Sequence, residues 1–441
     1  MTIQSRPIDP CEGEERQHPR VLIVAENASL SQGGESYLPV QWLRGLVKEG
    51  VDVRLLVHAR SKPDLENLLG EFGSCFHFVP EVLAQTIFWK IGAALPAHVR
   101  DFTSGWFVQL ISQIMQRRVA RGMIEQYGIE VVHQLTPVSP RLPSMLYGLG
   151  VPVIIGPMNG NMTYPPQSVR TRPILERGFV PVARSFTNIA NYIIPGKRRA
   201  DVLLVANERT RMALPSGCQG SVGMVCENGV DPTVWRLADD AAAPPANRLR
   251  LAFMGRLERW KGADVALDVL YEVKQQRPEA ELWIIGNGPE LQRLKRQAEK
   301  LGVVDAVTFH GWVPKNECPV LLSQTDVMLF PSLHDCGGAV VLEAMALGLP
   351  VVALNWGGPG DYLADGGGVL IEPAGRSQTV AAFVEAVRCL TPSKRHELSK
   401  IAKRIISEHY TWPGKIRQIL DVYRSVCSRD KRVSARDEPC L

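Results

Sequence analysis

Pro331-Ser-Leu-His-Asp-Cys-Gly-Gly-Ala-Val-Val-Leu-Glu-Ala-Met-Ala-Leu-Gly-Leu-Pro-Val-Val352 is the stretch on which the fold turns. Just before it, Asp326-Val-Met-Leu-Phe330 reads as a short buried strand. Gly337 and Gly338 then let the backbone come close to a ligand where the next helix begins, and the free N–H groups of that helix start favour phosphate. The helix is expected over 339–347, ended by Gly348 with Pro350 beyond it. Glu343 is its single charged residue, flanked by Val340, Val341, Leu342, Met345 and Leu347. A carboxylate in such surroundings needs hydrogen-bond donors, and the hydroxyls of a ribose are suitable ones. It could also lie on an exposed strip or pair with a structural arginine.

Working outward, strand-like apolar runs alternate with helical stretches. Val21-Leu-Ile-Val-Ala25, the Gly33-Gly34 loop, a helix near 37–49 and Val53-Arg-Leu-Leu-Val57 make a β-loop-α-β unit of a parallel sheet. Val131-Val-His133, Val153-Ile-Ile155 and Val202-Leu-Leu-Val205 continue it. The pattern lapses between Asn228 and Arg248 into an Ala-Pro-Pro-Ala tract, which reads as a linker. A second series follows, with strands at 251–254, 280–285, 307–309, 327–330 and 351–354. The expected class is α/β, two doubly wound Rossmann-like domains, with ligand where strand ends of both face a common gap. Loops after these strands carry the remaining candidates: Gly255-Arg-Leu-Glu-Arg-Trp-Lys-Gly262, Ile284-Ile-Gly-Asn-Gly-Pro-Glu290, His310-Gly-Trp-Val313 and Gly156-Pro-Met-Asn-Gly-Asn161. Arg256 and Lys261 can meet a diphosphate as fork and point charge. Gly286 and Gly288 suit either phosphate contact or, as favoured here, a tight turn.

Asp335 followed seven residues on by Glu343 resembles the carboxylate-x7-carboxylate signature of the retaining glycosyltransferases of family 4, with aspartate where that family usually has a first glutamate. The segments 255–262, 284–290 and Glu227-Asn-Gly-Val-Asp231 resemble the same family in the expected order, and Gly33-Gly34-Glu35 and Gly156-Pro-Met-Asn-Gly160 more loosely. The resemblance implies the GT-B architecture, two Rossmann-like domains about an interdomain cleft. It places Arg256 and Lys261 on the leaving diphosphate, Glu343 on the ribose and Asp335 on the donor sugar. Gly33, Gly34, Gly255, Val313, Gly337 and Gly338 would border the nucleotide sugar. The family's sugar-contacting histidine usually lies two positions after His133, where this chain has Leu135, so His133 either acts in a shifted register or is structural. His334 is open to a site role or to solvent, and 156–161 to acceptor contact or a plain turn.

The domain bounds expected are a disordered segment 1–19, an acceptor-side domain 20–230, a linker 231–248, a nucleotide-sugar domain 249–411, a helix 412–427 crossing back and a disordered tail 428–441. The terminus carries Glu12, Glu14 and Glu15 without an apolar run, unlike a secretory signal, and no apolar stretch reaches the ~18 residues of a spanning helix, so a cytoplasmic protein is expected. Nine cysteines, with no Cys-x-x-Cys pair, argue against a disulfide framework or zinc. The formal charge of +5 is modest and gathers in Arg170, Arg172, Arg177, Arg184, Lys197, Arg198 and Arg199, interleaved with Phe179, Phe186 and Tyr192, and in a Phe88–Arg121 stretch with Trp89, Trp106 and Phe107. Such faces suit an anionic membrane, or are ordinary solvated surface; no nucleic-acid motif accompanies them. The expected activity is hexosyl transfer from a nucleoside diphosphate sugar to a glycan or lipid-linked acceptor in cell-surface polysaccharide synthesis. No Asp-x-Asp motif is present, so neither metal nor cofactor is expected. A non-catalytic nucleotide-sugar or glycan-binding protein and a nucleotide-sugar epimerase are the alternatives on the same fold.

Overall fold

Strands buried on both faces demand apolar residues at successive positions, and the central strands of the two parallel sheets are built that way. A computed structural model describes residues 17–30, 34–93, 104–166, 187–236 and 248–434. The first sheet has seven strands in the order β3-β2-β1-β4-β5-β6-β7: β1 Val21–Val24, β2 Val53–His58, β3 Phe76–Val79, β4 Val131–Gln134, β5 Val153–Met158, β6 Val202–Val205 and β7 Ser221–Met224. The second has six in the order β10-β9-β8-β11-β12-β13: β8 Arg250–Met254, β9 Glu281–Ile285, β10 Val307–Gly311, β11 Val327–Phe330, β12 Val351–Leu354 and β13 Gly368–Ile371. All neighbours are parallel, with Val21 opposite Val53 and Val131, and Met328 opposite Val351.

The period-2 alternation sends successive side chains to opposite layers. Val21 and Ile23 join one core of the first domain while Leu22 and Val24 join the other. Val327 and Leu329 against Met328 and Phe330 repeat the division in the second domain. Each sheet reverses its strand order beside its first strand, between β1 and β4 and between β8 and β11. Those two switch points are where open α/β sheets leave a crevice beyond the strand ends.

Three strands carry no clear apolar run and went unanticipated: β3 contains His77, β7 is a largely exposed edge strand with Gly223, and β13 follows a glycine run. The helix expected to start near residue 412 runs from Trp412 to Ser434, so 428–434 are helical rather than tail. Its residues Ile416, Ile419, Leu420, Tyr423 and Val426 complete the core of the first domain. The two crossings between domains are tied together, Val230 N–H donating to Tyr410 O at 2.7 Å and Trp412 N–H to Val230 O at 3.0 Å. Of the expected segments 1–19, 231–248 and 428–441, residues 1–16, 237–247 and 435–441 lie outside the described residues.

Candidate active site in the interdomain cleft

The second domain's side of the candidate site is built at the ends of β8 and β11. Gly338, with φ +69°, starts the helix Ala339–Leu347, and Gly348, with φ +73°, ends it, both in the left-handed region that glycine enters without strain. Glu343 is buried in this helix. Its partner is neither a hydroxyl nor an arginine but Lys315, whose Nζ lies 2.9 Å from Glu343 Oε1. One helix start away, Asp335 pairs with Lys261. The two loops are laced by backbone: Leu333 N–H donates to Trp260 O at 2.8 Å, and Ser332 Oγ donates to the same carbonyl at 3.3 Å. That lacing brings Lys261 to Asp335.

Arg256 does not join this pair. It turns outward, 75% exposed, and meets Glu258 at 3.0 Å. Every cation expected of the site therefore already holds a carboxylate. Gly255 follows β8 directly, and Gly286, with φ +140°, packs so closely against it that a Cβ there would collide with Gly255 O. A Cβ at Gly288 would likewise meet Leu257 O. These glycines serve close backbone packing, the turn reading of the sequence. Val313 packs on the second core, and its carbonyl accepts from Cys318 Sγ at 3.8 Å, two residues from Lys315.

Across the gap, the turn Gly34–Tyr37 faces the same region. Gly34 is exposed with open space where a Cβ would project, and Gly33 lies outside the described residues. Tyr37 places its ring 4.3 Å from the Lys315 ammonium, joining the two domains beside the helix Ala339–Leu347. Asn159, in the Gly156–Asn161 segment, donates from Nδ2 to Cys336 O at 3.0 Å and to Glu227 Oε1 at 2.7 Å. Burial pushes the Glu227 carboxyl upward, and the Asn159 amide counters it. Trp356 Nε1 donates to Thr163 O at 2.7 Å, and His334 stacks on Tyr164 at 4.6 Å. His334 is thus a contact between domains, not a free loop histidine.

Beside these contacts the first domain opens a cleft of about 410 Å³ lined by Glu26, Glu35, Thr136, Arg141, Asn159 and Asn161, among others. Glu35 accepts from Val138 N–H at 2.9 Å. Glu26 pairs through Oε1 with Arg60, while burial pushes its carboxyl up and leaves Oε2 without a hydrogen-bond partner. These polar groups suit a hydroxylated ligand.

His133 does not reach the cleft. Its Nε2–H donates to Gly156 O at 2.7 Å, and since that carbonyl can only accept, Nδ1 accepts from the Tyr423 hydroxyl at 2.7 Å. Complete burial holds its pKa down to about 4, so it is a neutral structural histidine. Leu135 is buried in the same domain's core. Lys197, counted above in a basic surface, is also inside: 2% exposed, it donates to Ser139 O, and burial lowers its pKa to about 7. Sequence reasoning missed Lys315 and Tyr37, while Asn159 and Glu227 lie in segments it singled out without giving either residue a role. A lysine in a polar loop has no local mark of pairing with a helix 28 residues further on, the distance from 315 to 343.

Residues 238–405 match the model of the group 1 glycosyl transferases. The matched segment holds the Lys261–Asp335 and Lys315–Glu343 pairs. The chain is 31% identical to the glycogen synthase of Mycobacterium tuberculosis over 49% of its own length and 51% of that relative's. It spans about half the length of the first curated relatives it matches. It is 26% identical to the D-inositol 3-phosphate glycosyltransferase of Acidothermus cellulolyticus, over 91% of this chain and 88% of that one. Among solved structures, Anabaena HepE in complex with UDP and glucose superposes with a TM-score of 0.60 at 17% identity, covering 92% of this chain and all (100%) of HepE. The fold is GT-B.

Proposed function

We propose that this chain transfers a hexosyl group, with retention, from a nucleoside diphosphate sugar to a hydroxyl of a glycan or lipid-linked acceptor of cell-surface polysaccharide synthesis. The observation that carries the reading is the pair of lysine-held carboxylates, Asp335 and Glu343, at a glycine-started helix facing the other domain's polar cleft. The donor's nucleotide lies on the second domain, ribose on Glu343 and diphosphate on Lys261, Arg256 and the N–H groups after Gly337-Gly338; Gly34 and Gly255 leave room for it, and Val313 borders the base. Asp335 orients the sugar. The acceptor hydroxyl enters from the Glu26–Asn161 cleft, and its proton passes to the leaving phosphate on the same face. Cations of the chain supply the charge stabilisation that a metal supplies elsewhere, without a nucleophilic side chain. UDP binding by HepE and the transfer named for the Acidothermus relative support the class of donor and of reaction.

Release of nucleoside diphosphate from a panel of UDP-, GDP- and ADP-sugars tests the reading, with calorimetry of the matching nucleotide. Glu343→Ala should weaken that nucleotide by a factor on the order of 10, for the loss of a charged hydrogen-bond acceptor. Wild-type affinity in the variant would remove Glu343 from the site, and no release from any donor would remove the activity.

The first domain is proposed to rest on anionic lipid. Tyr192 and Ile193 stand 72% and 70% exposed on the helix before Arg198 and Arg199, and Leu83, Ile87 and Phe107 are exposed on the helices Leu83–Ala93 and Ser104–Tyr127 of the same domain. Arg170, Arg172, Arg177 and Arg184, with Phe179 and Phe186, lie outside the described residues. Among the described residues no helix is long and apolar enough to cross a membrane. Co-sedimentation with phosphatidylserine vesicles should be strong at low salt and weaken as salt is added. Absence from the vesicle pellet at low salt would make this an ordinary solvated face.

A further inference from the structure

Lys315 occupies a position that neither the motif pattern nor the family match assigns. It stands between two components of the donor site: the Glu343 carboxylate on one side at 2.9 Å, and on the other the ring of Tyr37, the last residue of the Gly34–Tyr37 turn, at 4.3 Å. Its backbone is fixed, since Glu317 N–H donates to Pro314 O at 2.9 Å and the helix Cys318–Leu322 starts immediately after. The side chain remains 44% exposed. An anchored root with an accessible tip lets the ammonium change partners without moving the loop.

We infer that Lys315 is a third phosphate cation of the donor site, handed from Glu343 to the donor's diphosphate as the ribose hydroxyls take its place on the carboxylate. The inference rests on the donor reading above. It follows from competition for one carboxylate. Glu343 can take two ribose hydroxyls only where Lys315 withdraws from at least one of its lone-pair directions, and a withdrawn ammonium in this setting needs an anion. A diphosphate joined to the same ribose presents several charged oxygens close by, and outcompetes a single carboxylate for a lysine point charge. Burial lowers the Lys315 pKa, but Glu343 and Tyr37 more than offset it and leave the pKa raised, so the group handed over is charged. Tyr37 gives the exchange a second role: the cation that meets the phosphate is already seated on the opposite domain's turn, and binding the donor tightens that seat.

The exchange makes a prediction that a plain structural ion pair does not. With the nucleoside diphosphate that wild type binds, Lys315→Met should weaken affinity about tenfold or more, the scale of one charged hydrogen bond, and reduce its dependence on salt. The corresponding nucleoside, which carries no phosphate, should bind the variant as well as wild type or better, because Glu343 is then free for the ribose. Lys315→Arg should keep most of the diphosphate affinity. A thermal melt checks the fold, and the double variant Lys315→Met/Glu343→Gln, which leaves no unpaired buried charge, serves if the single one unfolds: its affinity should fall below that of Glu343→Gln alone. Tighter diphosphate binding in Lys315→Met would show that the lysine only blocks the carboxylate, and equal binding that it stays a structural pair; either overturns the handover while the donor reading stands. Failure of wild type to bind any nucleoside diphosphate would overturn the donor reading and the handover with it.

Discussion

The two domains share a sheet plan, but the cations on the second domain's side of the cleft and two bases buried inside the first are held in opposite ways. In the second domain, Lys261, Lys315 and Arg256 each meet a carboxylate, on Asp335, Glu343 and Glu258. In the first, His133 and Lys197 are buried against neutral oxygens, on Gly156, Tyr423 and Ser139. A paired charge can be passed to a charged ligand, whereas a base held among neutral groups favours losing its proton. The difference teaches which residues can belong to the chemistry. At the cleft, Lys261 and Lys315 have carboxylate partners that a charged ligand can replace, while His133 and Lys197 are part of the frame.

Acid is the strongest way to break this comparison. Both bases have folded pKa values below their ordinary ones, so each contributes its stability above the ordinary value and loses it as pH falls toward the folded one. For Lys197 the window runs from 10.5 down to about 7. Lys197→Met should therefore gain on wild type by several kcal/mol, about 5 at most, on going from pH 10 to pH 6, measured by denaturant unfolding. For His133 the window runs from 6.5 down to about 4. His133→Gln should remove about 3 kcal/mol of the stability lost between those limits. Parallel pH profiles in variant and wild type would mean that water reaches these groups.

Turnover sharpens the other side. Lys261→Ala should cut the rate by a factor on the order of 100, as when one preorganised charge-stabilising group is lost. Arg256→Ala should cost the same order only if Arg256 leaves Glu258 on donor binding, so a much smaller loss would keep it on the surface. The smallest effect expected is none at all: EDTA should leave turnover unchanged, and loss restored by a divalent cation would give a metal the place assigned to the lysines.

What could be read from the sequence is what chemistry writes locally. The helix Ala339–Leu347 was bounded correctly because glycines at both ends and one charge among apolar residues all lie within a dozen positions. The two doubly wound sheets were legible for the same reason, through their buried apolar strands, and the GT-B arrangement through the family resemblance. His133 was ambiguous because its environment is made by Tyr423, 290 residues away. Lys197 sits among arginines in sequence but inside the domain in space, so a charge run misplaced it. Lys315 has nothing beside it in the chain to reveal Glu343.

The helix Trp412–Ser434 finishes the core of a domain whose other strands were made first. During synthesis the first domain thus leaves the ribosome with an open apolar face and His133 lacking its Tyr423 hydroxyl, and stays so until the whole second domain has followed. The second domain, built from one uninterrupted stretch of chain, can close by itself while the first waits. A shortened chain ending before Trp412 would accordingly strand the older half of the protein and spare the newer one, which makes the last helix the release step of assembly.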